Sequence, residues 1–137
     1  MDDTQPTDPR SHHLTQLCNT LPETSQAAMG QHVRFLVREK SFAYFLNDHH
    51  GDGRVALCCK VAAGLNTLMA KDDPTRFFLP AYLGKNGWVG LRLDGADIDW
   101  DEVTALLSES YCLVAPKRLA ALVRPPEARP PGQPSGL

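Results

Sequence analysis

The chain has 137 residues, 42% of them apolar, 22% charged and 7% aromatic, with 14 Lys and Arg against 16 Asp and Glu. That is apolar material for one core and room for one domain, and it excludes a wholly disordered or fibrous chain. Apolar runs are short of the roughly 20 residues a membrane helix needs. Met1 leads into Asp2, Asp3 and Thr4 without an apolar leader, so a cytoplasmic protein with no membrane contact is expected.

The polar residues 1–10, with Pro6 and Pro9, are expected to form a flexible N-terminus ahead of a single domain over 11–123. Ser11 can cap a first helix whose apolar stripe is Leu14, Leu17, Cys18 and Leu21, ended by Pro22. The period then changes to two. Val33, Phe35 and Val37 alternate with His32, Arg34, Leu36 and Arg38, and Phe42, Tyr44 and Leu46 follow after a very short link, the pattern of a hairpin. Residues 48–53 are turn-rich, and a third strand places Val55, Leu57 and Cys59 on one side.

Residues 62–71 have helical spacing and stop at Asp72-Asp73-Pro74; Phe77-Phe78-Leu79 and Trp88 to Leu93 are short strands. Asp99 and Glu102 have capping-box spacing ahead of Val103, Leu106, Leu107 and Tyr111, and Pro116 suits the first turn of a last helix ending near Val123. Residues 124–137 hold five prolines and two glycines, the composition of a disordered tail. The order α-β-β-β-α-β-β-α-α predicts the α+β class: a two-layer fold with an antiparallel sheet and helices packed on one face.

Three runs, "VREKSFAYFLNDHHGDGRVALCCK", "DPTRFFLPAYLGKNGWVGLRLDG" and "DIDWDEVTALLSESYCLVAPKRLAA", resemble the bacterial YjbR/MmcQ family in order over residues 31–122. The resemblance implies a CyaY-like, or secretion-chaperone-like, fold. It also implies a DNA-binding protein of the "double-wing" kind, and brings no catalytic residues with it. The chain departs from the pattern at Arg38-Glu39-Lys40, where the family tends to have Arg-Gly-Lys; glycine there points to a positive φ, so Glu39 implies strain or another turn.

If Val33, Phe35 and Val37, Phe42, Tyr44 and Leu46, Val55, Leu57 and Cys59, and Val89, Leu91 and Leu93 face the helices, alternation assigns the opposite sheet face to Arg34, Arg38, Phe45, Arg54, Lys60, Trp88 and Arg92, among small and polar residues and Leu36, with no acid. Charge is segregated along the chain as well. Residues 31–92 hold nine cations and five acids, and residues 93–109 hold six acids and no cation.

A cationic face with interleaved aromatics suits nucleic acid: Arg and Lys meet phosphates while Trp88 and Phe45 offer stacking area. Lys40, Lys85, Lys117 and Arg118, with Arg38, are the candidates for basic loops entering a duplex groove. The competing reading is a protein-interaction or homodimer surface on the same face.

Other constellations carry less. Counting Asp97 as position 1 of a calcium loop puts Glu102 where glycine is required and Ser108 where Glu is required. Asp99, Asp101 and Glu102 suit a helix start instead. His12-His13 and His49-His50 are adjacent pairs without converging ligands, and Cys18, Cys58, Cys59 and Cys112 have no metal spacing, so buried apolar fillers are expected. There is no G-x-S-x-G, Walker A or G-x-G-x-x-G pattern. A non-enzymatic protein without metal or cofactor is expected.

Overall fold

The N-terminal helix shows how local chemistry sets an element boundary. Pro9 occupies its first turn, where a fixed φ and a missing N–H cost nothing, and Asp8 accepts the Arg10 N–H at 2.9 Å. The cap is therefore Asp8 and not Ser11, which is buried inside the first turn with its hydroxyl donating to the Asp8 carbonyl. Arg10 ion-pairs with Asp8 at 2.7 Å and donates to the Leu93 carbonyl at 2.6 Å. The fold thus takes in residues 8–10, ahead of the expected boundary at 11. This computed structural model describes residues 8–47, 53–81, 83–95 and 97–123; the expected flexible residues 1–7, the His49-His50 pair and the proline-rich tail lie outside them.

The elements are α1 (Pro9–Asn19), β1 (Thr24–Met29), β2 (His32–Val37), β3 (Lys40–Asn47), β4 (Val55–Lys60), α2 (Leu65–Asp72), β5 (Phe77–Phe78), a 3-10 turn (Gly84–Asn86), β6 (Trp88–Arg92), α3 (Trp100–Val114) and α4 (Lys117–Val123). The six strands form one antiparallel sheet in the order β1-β2-β3-β4-β6-β5. This is the expected α+β architecture with one strand added at the front. β1 reads Thr-Ser-Gln-Ala-Ala-Met, which lacks the apolar alternation that marks a half-buried strand; five of its six residues are exposed, so no such pattern is selected.

The core gathers Leu14 and Cys18 of α1, Val103, Leu107 and Tyr111 of α3 and Leu119 of α4 against Val33, Phe35, Val37, Phe42, Leu57, Cys59, Val89 and Leu91 of the sheet. Burial pushes the Cys18 thiol up to about 12 and the Cys59 thiol up to about 11, so both stay protonated apolar fillers. Asp99 caps α3 as expected, accepting from Asp101 and Glu102 N–H, while Glu102 reaches Arg76 at 2.6 Å rather than closing the capping box.

The β2–β3 turn bears out the strain implied at Glu39. Arg38 and Glu39 lie at φ 47° and 68°, the left-handed pair that a two-residue hairpin turn demands. Outside glycine such a residue costs on the order of 1–2 kcal/mol. We expect Glu39→Gly to raise stability by about 0.5–1 kcal/mol, the relief of strain less the extra unfolded-chain entropy. Urea unfolding checks it: a higher midpoint at unchanged slope is the expected result, and a lower midpoint contradicts it.

Candidate functional site

Alternation in β3 is broken by one residue. Phe35 faces Ala43 but Leu36 faces Ser41, so Phe42 is the extra residue of a β-bulge. Phe42 and Ala43 are both buried, and beyond them the phase is reversed. This corrects the face assignment. Phe45, expected as a stacking surface, is 0% exposed and packs in the core opposite Val33. Tyr44, assigned to the core by a period of two, stands on the outer face with Leu46.

The outer face is organised by one cross-strand row that runs through all six strands: Ala27, Arg34, Tyr44, Cys58, Gly90, Phe78. The Phe78 ring lies on the bare backbone of Gly90, where a Cβ would come within 2.4 Å of the ring. Trp88, one row along, sits beside Tyr44 with ring centroids 5.6 Å apart and is only 8% exposed. Ala56 and Cys58, on the same face, are buried although neither belongs to the helix-covered core.

Cations stand around this aromatic floor. The Arg54 guanidinium packs 4.3 Å from the Phe78 ring centroid. Arg34 donates through Nε to Ser41 Oγ and is half-buried, and Lys60 lies directly across from Trp88. Arg92 is exposed and pairs with Asp94 at 3.1 Å, holding that carboxyl below its ordinary value. Asp94 corrects the expectation of a face free of acids. Arg34 and Arg92 share the face but stand three strand spacings and one row apart, about 16 Å.

The remaining candidates form other groups. Arg38 donates to Glu23 at 2.7 and 3.3 Å, and Arg118 reaches the same carboxylate at 3.6 Å. Arg38 is the main cause of the lowered Glu23 pKa, and Glu23 itself has a left-handed φ of 58°. Lys40 and Lys117 are exposed at the starts of β3 and α4. Lys85, on the 3-10 turn, borders a hollow of about 470 Å³ together with Lys60, Gly64, Asn66 and Gly87. Asn66 is 3% exposed and clamps that region: its Nδ2 donates to the Gly84 carbonyl at 2.7 Å and the Trp88 carbonyl at 3.0 Å.

Tyr44, Phe78, Asp94, Glu23 and Asn66 had no individual signal as site residues. Four of them are placed by a partner on another strand or turn, or by a bulge that has no sequence signature of its own, whereas Asp94 pairs with Arg92 only two residues away. Among the described residues no group of three or more His, Cys, Asp or Glu could hold a metal ion, and no helix is long and apolar enough to cross a membrane.

A family model described as YjbR matches residues 19–113. The crystal structure of Deinococcus radiodurans protein DR2400, whose domain is described as DUF419, superposes with a TM-score of 0.62 at 22% sequence identity, covering 96% of this chain and 97% of that one. The likeness at that identity is one of fold. No curated protein matches the chain.

Proposed function

We propose, for a chain that belongs to the YjbR family, that the outer sheet face binds nucleic acid, with DNA the ligand implied by the family resemblance, and catalyses no reaction. One observation carries this reading. Arg34, Arg54, Lys60 and Arg92 border a floor of Tyr44, Trp88 and Phe78 on the sheet face opposite the helix-covered core.

Phosphates are met by the rim cations, and the half-buried Tyr44 and Phe78 leave some ring area for bases. Trp88 and Phe45 offer little, so the electrostatic contribution dominates and sequence preference is weak. Asp94 lowers the net charge at one end, which places the strongest contact nearer Arg34.

Four phosphate contacts predict a slope of about −3 in log K against log salt on single strands. The Arg34→Glu, Arg92→Glu double variant should bind labelled DNA at least about tenfold more weakly at low salt, since two contacts become repulsions. Its thermal midpoint should change little, because both side chains lie outside the core. Absence of binding at low salt, or a salt slope near zero, would overturn the reading.

A further inference from the structure

We propose that the β1 edge is an interface with a second copy of this chain. β1 pairs on one side with β2 and, among the described residues, with nothing on the other, so its outer backbone N–H and C=O groups form an open template. Edge strands are ordinarily guarded by charge, proline, a bulge or short length. The opposite edge follows that rule: β5 is two residues long, preceded by Arg76 and followed within two residues by Pro80. Thr24–Met29 follows none of it, with six residues, no charge, no proline and an unbroken register against β2.

The surroundings point to a partner like the strand itself. Residues 11–30 carry a single charged side chain, Glu23, in a chain that is 22% charged, and Glu23 is engaged by Arg38. Depletion of charge is the compositional mark of an interface centre. An acidic or basic peptide would find no counter-charge along the strand, whereas a second copy brings the same small, uncharged side chains. Between α1 and β1 lies a cavity of about 450 Å³ with no Asp, Glu, Lys or Arg in its lining, which includes His12, Gln16, Gln26 and Ala28.

A two-fold axis perpendicular to the sheet pairs β1 antiparallel with its copy and keeps both helix layers on one side. With Ala27 on the axis, Ser25 faces the partner's Met29 and Gln26 faces the partner's Ala28. This register covers Met29, which is 43% exposed, and sets the smallest side chains at the centre. The sheet becomes twelve-stranded, and the two Arg34 positions stand three strand spacings apart, about 14 Å. The inference does not rest on nucleic-acid binding.

Light scattering on the full chain across a concentration series should give a mass approaching twice 15.1 kDa. Ala27→Lys and Ala27→Glu each place like charges on the axis and should each be monomeric and still unfold cooperatively, because Ala27 is exposed, with a thermal midpoint that no longer depends on concentration. An equimolar mixture of the two should restore the dimer. DNA binding by the wild-type chain is read separately from its mass, through its salt slope, which separates failure of this interface from failure of the proposed function. A wild-type chain that is monomeric up to high micromolar concentration overturns the inference, as does a dimer that persists in both single variants.

Discussion

Asn66→Asp is expected to lower stability at neutral pH by about 3–5 kcal/mol, with a loss that depends on pH. Asn66 uses both amide hydrogens on the Gly84 and Trp88 carbonyls while its Oδ1 accepts the Thr67 N–H at 2.9 Å. A carboxylate keeps the Thr67 contact but turns its second oxygen toward two carbonyl oxygens in a site that is 3% exposed. Each buried carbonyl left unpaired costs about 1–3 kcal/mol, and a buried charge without a partner costs more.

The carboxyl escapes part of this by staying protonated, so its folded pKa is raised above the unfolded value near 3.9. The folded state then holds the proton more tightly, and stability falls as pH rises from the unfolded pKa toward the folded one. The variant should lie nearest the wild type at about pH 4 and drop by about 1.4 kcal/mol per pH unit within that window. Asn66→Ala, which adds no ionisable group, should show a deficit independent of pH. Urea unfolding at several pH values distinguishes the two; a flat difference between Asn66→Asp and wild type would contradict the clamp. Because Trp88 hangs from this clamp, the Tyr44–Trp88 ring contact should loosen in both variants, seen as altered tryptophan fluorescence.

The second large effect is expected at Tyr111. Its side chain is among the largest fully buried ones, packed edge-on against Phe42 at 5.7 Å, and its hydroxyl donates to the Pro22 carbonyl at 2.6 Å. Tyr111→Ala should cost about 3–5 kcal/mol through the lost apolar area and the cavity left between α3 and β3. Tyr111→Phe keeps the packing and orphans the Pro22 carbonyl, for about 1–2 kcal/mol. Equilibrium unfolding of the two variants separates packing from the hydrogen bond. If Tyr111→Phe equals wild type, the bond contributes nothing. The bond also has a geometric role. It holds the Pro22-Glu23 corner, where Glu23 keeps a left-handed backbone and gathers Arg38 and Arg118.

How far the residues alone lead depends on the range of the force concerned. The Asp99 cap and the helix after it, the alternation of β2, β4 and β6, and the stop at Asp72-Asp73-Pro74 follow from interactions within a turn or two of chain, and all are legible. So is the family, from runs spread over most of the domain. The strain at Glu39 is legible from a missing glycine in a two-residue turn. Asp8 as the first cap is legible from a proline just inside a helix start, although Ser11 offers a second capping side chain.

The candidate site is less legible, because nothing local in β3 marks its phase. Its residues suit either phase, with Phe, Tyr or Leu available to each face, so only the register against Leu36 and Ser41 decides where the bulge falls. That single inserted residue sends Phe45 into the core and Tyr44 out. The arginines divide the same way: Arg10, Arg76 and Arg92 pair with acids two or three residues away, whereas Arg38 and Arg118 with Glu23, and Arg76 with Glu102, join segments far apart in the chain.

The α+β class, the antiparallel strands, most of the helix boundaries and a cationic middle segment can be read from the residues directly, because propensity, periodicity and capping act between near neighbours. The face each β3 side chain occupies, the gathering of Arg38 and Arg118 on Glu23, and the place of a plain, uncharged segment at the open edge of the sheet emerge only once the strands are assembled. Register, cross-strand pairing and edge position are properties of strands already brought together, and no local pattern encodes them.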